Sequence, residues 1–197
     1  KNKQTTRSRD DQKRADDLVK RNFNADHPDQ LWVADFTYIQ THSGWVYTAF
    51  IIDVFSRAIV GWKVSTRMNT DMVLDALEQA LHDRGMPKNV IHHSDRGVQY
   101  LSIRYTNRLE AANLRASVGT TGDSYDNALA ETVNGLYKTE VIEYLKADWQ
   151  GLADVQLATL NWVDWFNKER VHSALGYVSP FEFEAMYYDK INPLGQV

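Results

Sequence analysis

Three stretches dense in β-branched and aromatic residues follow one another from Leu31: LWVADFTYIQT, WVYTAFIIDVFSR and AIVGWKVST. Only His42-Ser43-Gly44 and Ser56-Arg57 separate them, so they predict an antiparallel meander of three strands. The period then changes. NTDMVLDALEQALHDRG carries apolar residues at 73, 76, 77, 80 and 81, a cap at Asn69 or Thr70, and a stop at Gly85 and Pro87, which predicts an amphipathic helix. NVIHHSD (89–95) reads as a short buried strand, SIRYTNRLEAAN (102–113) as a helix, and LRASVG as a strand. After the loop TTGDSYDN, one helix is expected from Ala128 to Leu145 and another from Leu152 to Arg170. A meander followed by alternating helices and strands predicts an α/β sheet covered by helices.

Length and composition narrow the class. At 197 residues, one domain with appendages is expected. With 43% hydrophobic and 24% charged residues, 10 Gly and 4 Pro, the chain is neither collagen-like nor disordered. No apolar run approaches the roughly 20 residues of a membrane helix, and the N-terminus has no signal-peptide character, so a cytoplasmic protein that engages no membrane is expected. Having no cysteine removes disulfides, thiol nucleophiles and cysteine-ligated zinc, leaving carboxylates and histidines for any metal. The net charge of -4 is unevenly spread: residues 1–30 hold 8 Lys+Arg against 6 Asp+Glu, while the rest hold 14 against 20. The charge-dense start reads as a solvated lead-in from an upstream region.

Acids inside apolar strands are the informative ones, because a buried carboxylate is costly without a cation or hydrogen-bond donors. Three fit: Asp35 in WVADFTYI, Asp53 in FIIDVFSR and Asp95 at the end of VIHHSD. Asp53 is placed to brace the turn before Ser56 and Arg57 and is left out of the site. Asp35 and Asp95, on central strands, can converge at one end of the sheet. Glu131, in the first turns of a helix that follows a loop, is the candidate third acid. Three oxygen ligands suit Mg²⁺, with Mn²⁺ as a substitute, better than zinc. Two such ions about 3.5–4 Å apart can clamp an in-line phosphodiester displacement. They would also make an acidic domain locally positive.

Asp35 in LWVADFTYI, Asp95 in HSDRGVQY and Glu131 in GDSYDNALAET, with 35 residues between the last two, resemble the acidic triad of retroviral integrases and related transposases. With FNKERVHSALGYVSPFEFE further on, the blocks are most similar to the OrfB-type transposases of bacterial insertion sequences, over residues 25–187. The resemblance implies an RNase H-like fold with a five-stranded mixed sheet flanked by helices. It implies cleavage of DNA to expose a 3'-hydroxyl and transfer of that end into target DNA. Asp35 would bridge two Mg²⁺ ions, with Asp95 on one and Glu131 on the other. The partners implied are element ends and target DNA, with a homo-oligomer assembled on them. The expected layout is a lead-in over 1–28 from a DNA-binding region that is not present, a core over 29–187 and a tail over 188–197.

Neighbouring positions fill out the site. Asn127, Gly135 (or Asn134) and Lys138 recur at helical spacing with Glu131, so Lys138 is either a DNA-phosphate contact or a solvated lysine near Glu140. Arg170 and His172 are either DNA contacts near the site or packing groups at a helix C-terminus. Arg96 follows Asp95 and is a DNA-contact candidate. His92 and His93 face opposite sides of their strand and are read as core or supporting histidines rather than ligands. The Trp residues at 32, 45, 62, 149, 162 and 165 are read as core or interface aromatics. Against the family pattern, Ser124 stands where cysteine is frequent, and the integrase zinc module is missing. A hydrolytic nuclease that never joins ends, and a dormant DNA-binding remnant, are the competing functions.

Overall fold

The computed structural model describes residues 16–20, 22–95, 97–119, 128–145 and 148–192. Arg96, Ser124 and Asn127 lie outside the described residues. The meander forms as expected: β1 (Leu31–Thr41), β2 (Gly44–Asp53) and β3 (Ile59–Ser65) pair antiparallel. β4 (Ile91–Ser94) and β5 (Arg115–Val118) then add in parallel, giving the order β3-β2-β1-β4-β5. A chain that enters a sheet as a meander and leaves it through crossover helices yields this mixed sheet.

The crossover helices are α1 (Thr70–Asp83) and α2 (Ile103–Ala111), followed by α3 (Ala128–Tyr137), α4 (Leu152–Lys168) and α5 (Pro180–Ile191). Asn69 caps α1 by accepting from the Met72 amide at 3.2 Å, and Gly85 at φ 70° lets the chain leave the helix. α5 opens with a capping box between Ser179 and Glu182 and with Pro180 in its first turn.

Strand alternation divides the core in two. Val33, Phe50 and Ile52 pack with Val133, Tyr137, Trp162 and Phe166 of α3 and α4, while Trp32, Ala34 and Ile51 pack with Leu77, Leu81 and Tyr105 of α1 and α2. α1 lies tight on β3 because residue 61 is Gly: an added Cβ would overlap the Ala76 carbonyl oxygen. Asn167 of α4 braces β3 through its side-chain amide, accepting from the Ile59 N–H at 2.8 Å and donating to its C=O at 2.9 Å. Among the described residues no helix is long and apolar enough to cross a membrane.

One element differs from expectation. The helix expected over 128–145 is α3 continued by a π-helical segment, Lys138–Glu143, in which the Tyr144 amide bonds back to Thr139. That extra residue per turn rotates every side chain after Lys138 out of α register. Packing begins before residue 29: Val19 is buried in the α3/α4 core, and the Leu18 amide donates to Ser117 Oγ at 2.9 Å. α5 carries regular structure to Ile191, and its Glu184 joins a buried polar network on the sheet.

Candidate active site

The parallel pairing of β1 with β4 runs from Leu31↔Ile91 to Ala34↔Ser94. Asp35 and Asp95 are the next residue on each chain. In parallel strands residues in register project to the same side, so the two carboxylates stand together where β4 ends. Each is held from below. Asp35 Oδ1 accepts from the Phe36 amide at 2.8 Å, and Asp95 Oδ1 accepts from the Gly97 amide at 2.8 Å. A Cβ at Gly97 would sit 2.9 Å from Asp95 Oδ1, so a larger residue there would displace the carboxylate.

Glu131 lies in the first turn of α3 and is exposed. One turn on, the buried Asn134 donates from Nδ2 to Asp35 Oδ2 at 2.8 Å and pins the helix to β1. The three acids sense one another. Asp35 is pushed from 3.8 up to about 6, chiefly by burial; the Phe36 amide opposes this, Asp95 adds to it, the Asn134 amide opposes it, and Glu131 adds further. Among the described residues no group of three Asp, Glu or His side chains stands in an arrangement that could hold an ion. Both Asp95 and Glu131 nevertheless act on Asp35 through their charge.

The donor set suits a hard divalent cation. Asp35 and Asp95 offer oxygens only, their repulsion raises Asp35, and the buried Oδ1 of Asn134 has no partner, so the pocket has acceptors in excess. In the sequence reading Asn134 appears only as an alternative to Gly135, with no link to Asp35. Its only signal there is its place three residues after Glu131.

The remaining candidates divide. Lys138 is not paired with Glu140: its Nζ lies 5.0 Å from the ring centroid of Tyr38. Glu140 instead takes Arg170, whose Nη2 donates to Oε1 at 2.7 Å and whose Nε donates to Oε1 at 2.9 Å, and it also accepts from Trp162 Nε1 at 3.0 Å. Arg170, just past the end of α4, is therefore tied to the π segment rather than a free cation. His172 packs edge-on against Phe166 and bridges to Val178, and burial lowers its pKa, with Arg170 adding to the effect.

His92 is a core residue. Its Nε2 bonds the Tyr105 hydroxyl at 2.9 Å, and burial lowers its pKa to about 3. His93 shares the face of Asp35 and Asp95, and its Nδ1 bonds Ser117 Oγ at 2.9 Å. Asp53 braces its turn as expected, with Oδ1 accepting from the Ser56 amide at 2.9 Å. Trp32, Trp149 and Trp162 are buried, whereas Trp45 is not a core residue: it lies 49% exposed on the β1–β2 hairpin.

The architecture is RNase H-like, that of the retroviral integrase core. The HTLV-2 integrase catalytic core domain in complex with magnesium superposes with a TM-score of 0.64 at 18% identity, covering 82% of this chain and 99% of that one. The simian T-cell lymphotropic virus intasome, in complex with PP2A regulatory subunit B56 gamma, gives 0.70 at 16% identity, covering 82% of this chain and 56% of its counterpart. Two models described as integrase core domain match residues 25–124 and 112–180, and the chain belongs to that family. It is 58% identical over 177 residues to the transposase for insertion sequence element IS629 of Shigella sonnei, covering 90% of this chain and 59% of the relative. It is 53% identical over 177 residues to the putative transposase for IS986/IS6110 of Mycobacterium tuberculosis, covering 87% of this chain and 63% of the relative. The chain thus spans about three fifths of the length of these relatives.

Proposed function

We propose that the chain is the catalytic core of a bacterial insertion-sequence transposase, a polynucleotidyl transferase that cuts DNA to expose a 3'-hydroxyl and joins that end to a target phosphodiester. The observation that carries this is the pairing of Asp35 and Asp95 at one register position past the β1–β4 ladder, with Asp35 raised to about 6 by burial and by its acidic neighbours. The likeness to the IS629 and IS986/IS6110 transposases supports it.

Asp35, Asp95 and Glu131 are the residues that would hold two Mg²⁺ ions, or Mn²⁺ in their place. Bound there, the metal supplies Lewis-acid stabilisation of charge on the reacting phosphate. The protein's own part is positional. The Phe36 and Gly97 amides and the Asn134 side chain fix the aspartates, so little reorganisation is needed when a phosphodiester arrives. Closing Glu131 onto the pair completes the set. Lys138 then lies two turns from Glu131, placed to draw a DNA phosphate; Arg96 and Asn127 are further DNA contacts. Element ends and target DNA are the partners, with a homo-oligomer assembled on them in the bacterial cytoplasm.

Two measurements test this. Mn²⁺ raises the Tm of the unaltered chain by binding the folded state, and Asp35→Asn and Asp95→Asn each abolish the rise while remaining folded. With matching end oligonucleotides the chain yields joined products, and Asp35→Asn loses both cutting and joining. Cleavage with no joined product would make it a hydrolytic nuclease. Full turnover by Asp35→Asn would place the site elsewhere.

A further inference from the structure

β4 leaves β1 after Ala34, so residues 35–41 of β1 have no strand on that side. Near this open edge stand three features: Tyr38 on β1, Trp45 on the paired β2, and the half-buried Lys138. Tyr38 is 54% exposed, Trp45 is 49% exposed, and their rings meet edge to face at 5.3 Å. They are diagonal neighbours on one face of the hairpin, since Tyr38 pairs with Tyr47 and Gln40 with Trp45. Tyr38 lies three residues beyond Asp35, roughly 10 Å along the strand. Alternation puts it on the opposite face from Asp35, yet Lys138 at the end of α3 reaches round the edge to its ring. The ammonium therefore lies beside the aromatic pair, on the segment that continues the helix carrying Glu131.

The hairpin that carries the rings is held still. The His42 amide donates to the Trp149 carbonyl at 2.9 Å and the Ser43 amide to that of Gln150 at 3.0 Å. Gly135 supplies an independent observation. It sits mid-helix on the exposed face between Glu131 and Lys138, and a Cβ built there meets nothing within 4 Å. A helical glycine is unfavourable relative to alanine, and among the described residues no contact requires one here.

Building on the proposed DNA-processing reading, we infer that this edge is a binding site for an unpaired nucleotide of the DNA strand being processed: its base stacks on Tyr38 and Trp45, its phosphate meets Lys138, and the backbone passes close over Gly135. Aromatic platforms beside a cation hold single-stranded DNA irrespective of sequence. The site would present the strand end to Asp35 and Asp95 from a fixed distance.

The test uses the whole chain in an Asp35→Asn background, so that nothing is cut, with a short oligonucleotide carrying a single 2-aminopurine near its 3' end. Binding is read by anisotropy and stacking by quenching of the aminopurine. The parent chain quenches it. Tyr38→Leu with Trp45→Leu removes the quenching and weakens binding by roughly five- to a hundredfold, while Tyr38→Phe retains both. Gly135→Ala raises the Tm and weakens binding, an opposition that a purely structural glycine would not produce. Quenching that persists in the double leucine variant, or binding unchanged by Gly135→Ala, overturns the inference and leaves the wider functional reading standing. Failure of the parent chain to bind overturns both.

Discussion

Arg84 is the cation of a buried network at the end of the sheet away from Asp35, and Arg84→Met should be severe for a reason the geometry makes quantitative. Its Nε donates to both oxygens of Asp29, at 2.9 and 3.1 Å, and its Nη1 donates to Glu184 Oε2 at 2.7 Å. The side chains of Arg84, Asp29 and Glu184 are only 14%, 17% and 9% exposed. Asp53 lies beside them, accepting from the Asp29 amide at 2.7 Å, while Ser56 Oγ donates to Glu184 Oε1 at 2.6 Å. Methionine keeps the length and removes the charge, leaving acids facing one another. Breaking a buried pair from one side costs about 3–5 kcal/mol. The residual exposure of Asp29 argues for the lower end, about 3 kcal/mol, or a Tm lower by roughly 6–12 °C in a chain of this size.

The pH dependence of this loss has a definite sign. Asp53 is raised from 3.8 to about 6, first by burial, with the Ser56 and Asp29 amides opposing and the charges of Asp29 and Glu184 adding. A raised acid contributes stability that is full below about 3.8 and is lost as pH rises through about 6. Arg57, half-buried, also faces Asp53 and remains in the variant. Removing Arg84 strengthens the repulsion among the ionised acids, so the deficit should be larger near pH 8 than near pH 5. Urea unfolding followed by tryptophan fluorescence at the two pH values measures it. A loss below about 1 kcal/mol near pH 8, or a deficit that grows on acidification, would refute the reasoning.

The other expectations are briefer. Gly61→Ala should cost about 1–3 kcal/mol in urea unfolding, because the new methyl would meet the Ala76 carbonyl oxygen and come within 2.9 Å of Ala80 Cβ. In the metal-free chain, Asn134→Ala removes a hydrogen bond that holds the Asp35 pKa down. Its midpoint should move above about 6, as followed by carboxyl NMR, and an unchanged or lowered midpoint would mean that the amide does not act on Asp35.

By itself the sequence determined the element order and the sheet. Strand alternation, the cap at Asn69 and the stop at Gly85 are local signals, and local signals survive without tertiary context. It also marked Asp35 and Asp95, because an acid in an apolar strand stands out chemically wherever the strand ends up. Asp53 was legible as a turn brace from Ser56 and Arg57 next to it. Tertiary structure decided what depends on partners distant in the chain. Glu140 found Arg170, 30 residues on, only because the π segment packs against the end of α4. Asn134 became the support of Asp35 only once α3 lay across β1, 99 residues away in sequence. Trp45 looks like a core residue in any count of apolar positions. It is 49% exposed near the turn of the β1–β2 hairpin, and which part of a strand a helix comes to cover is written in neither strand's own residues.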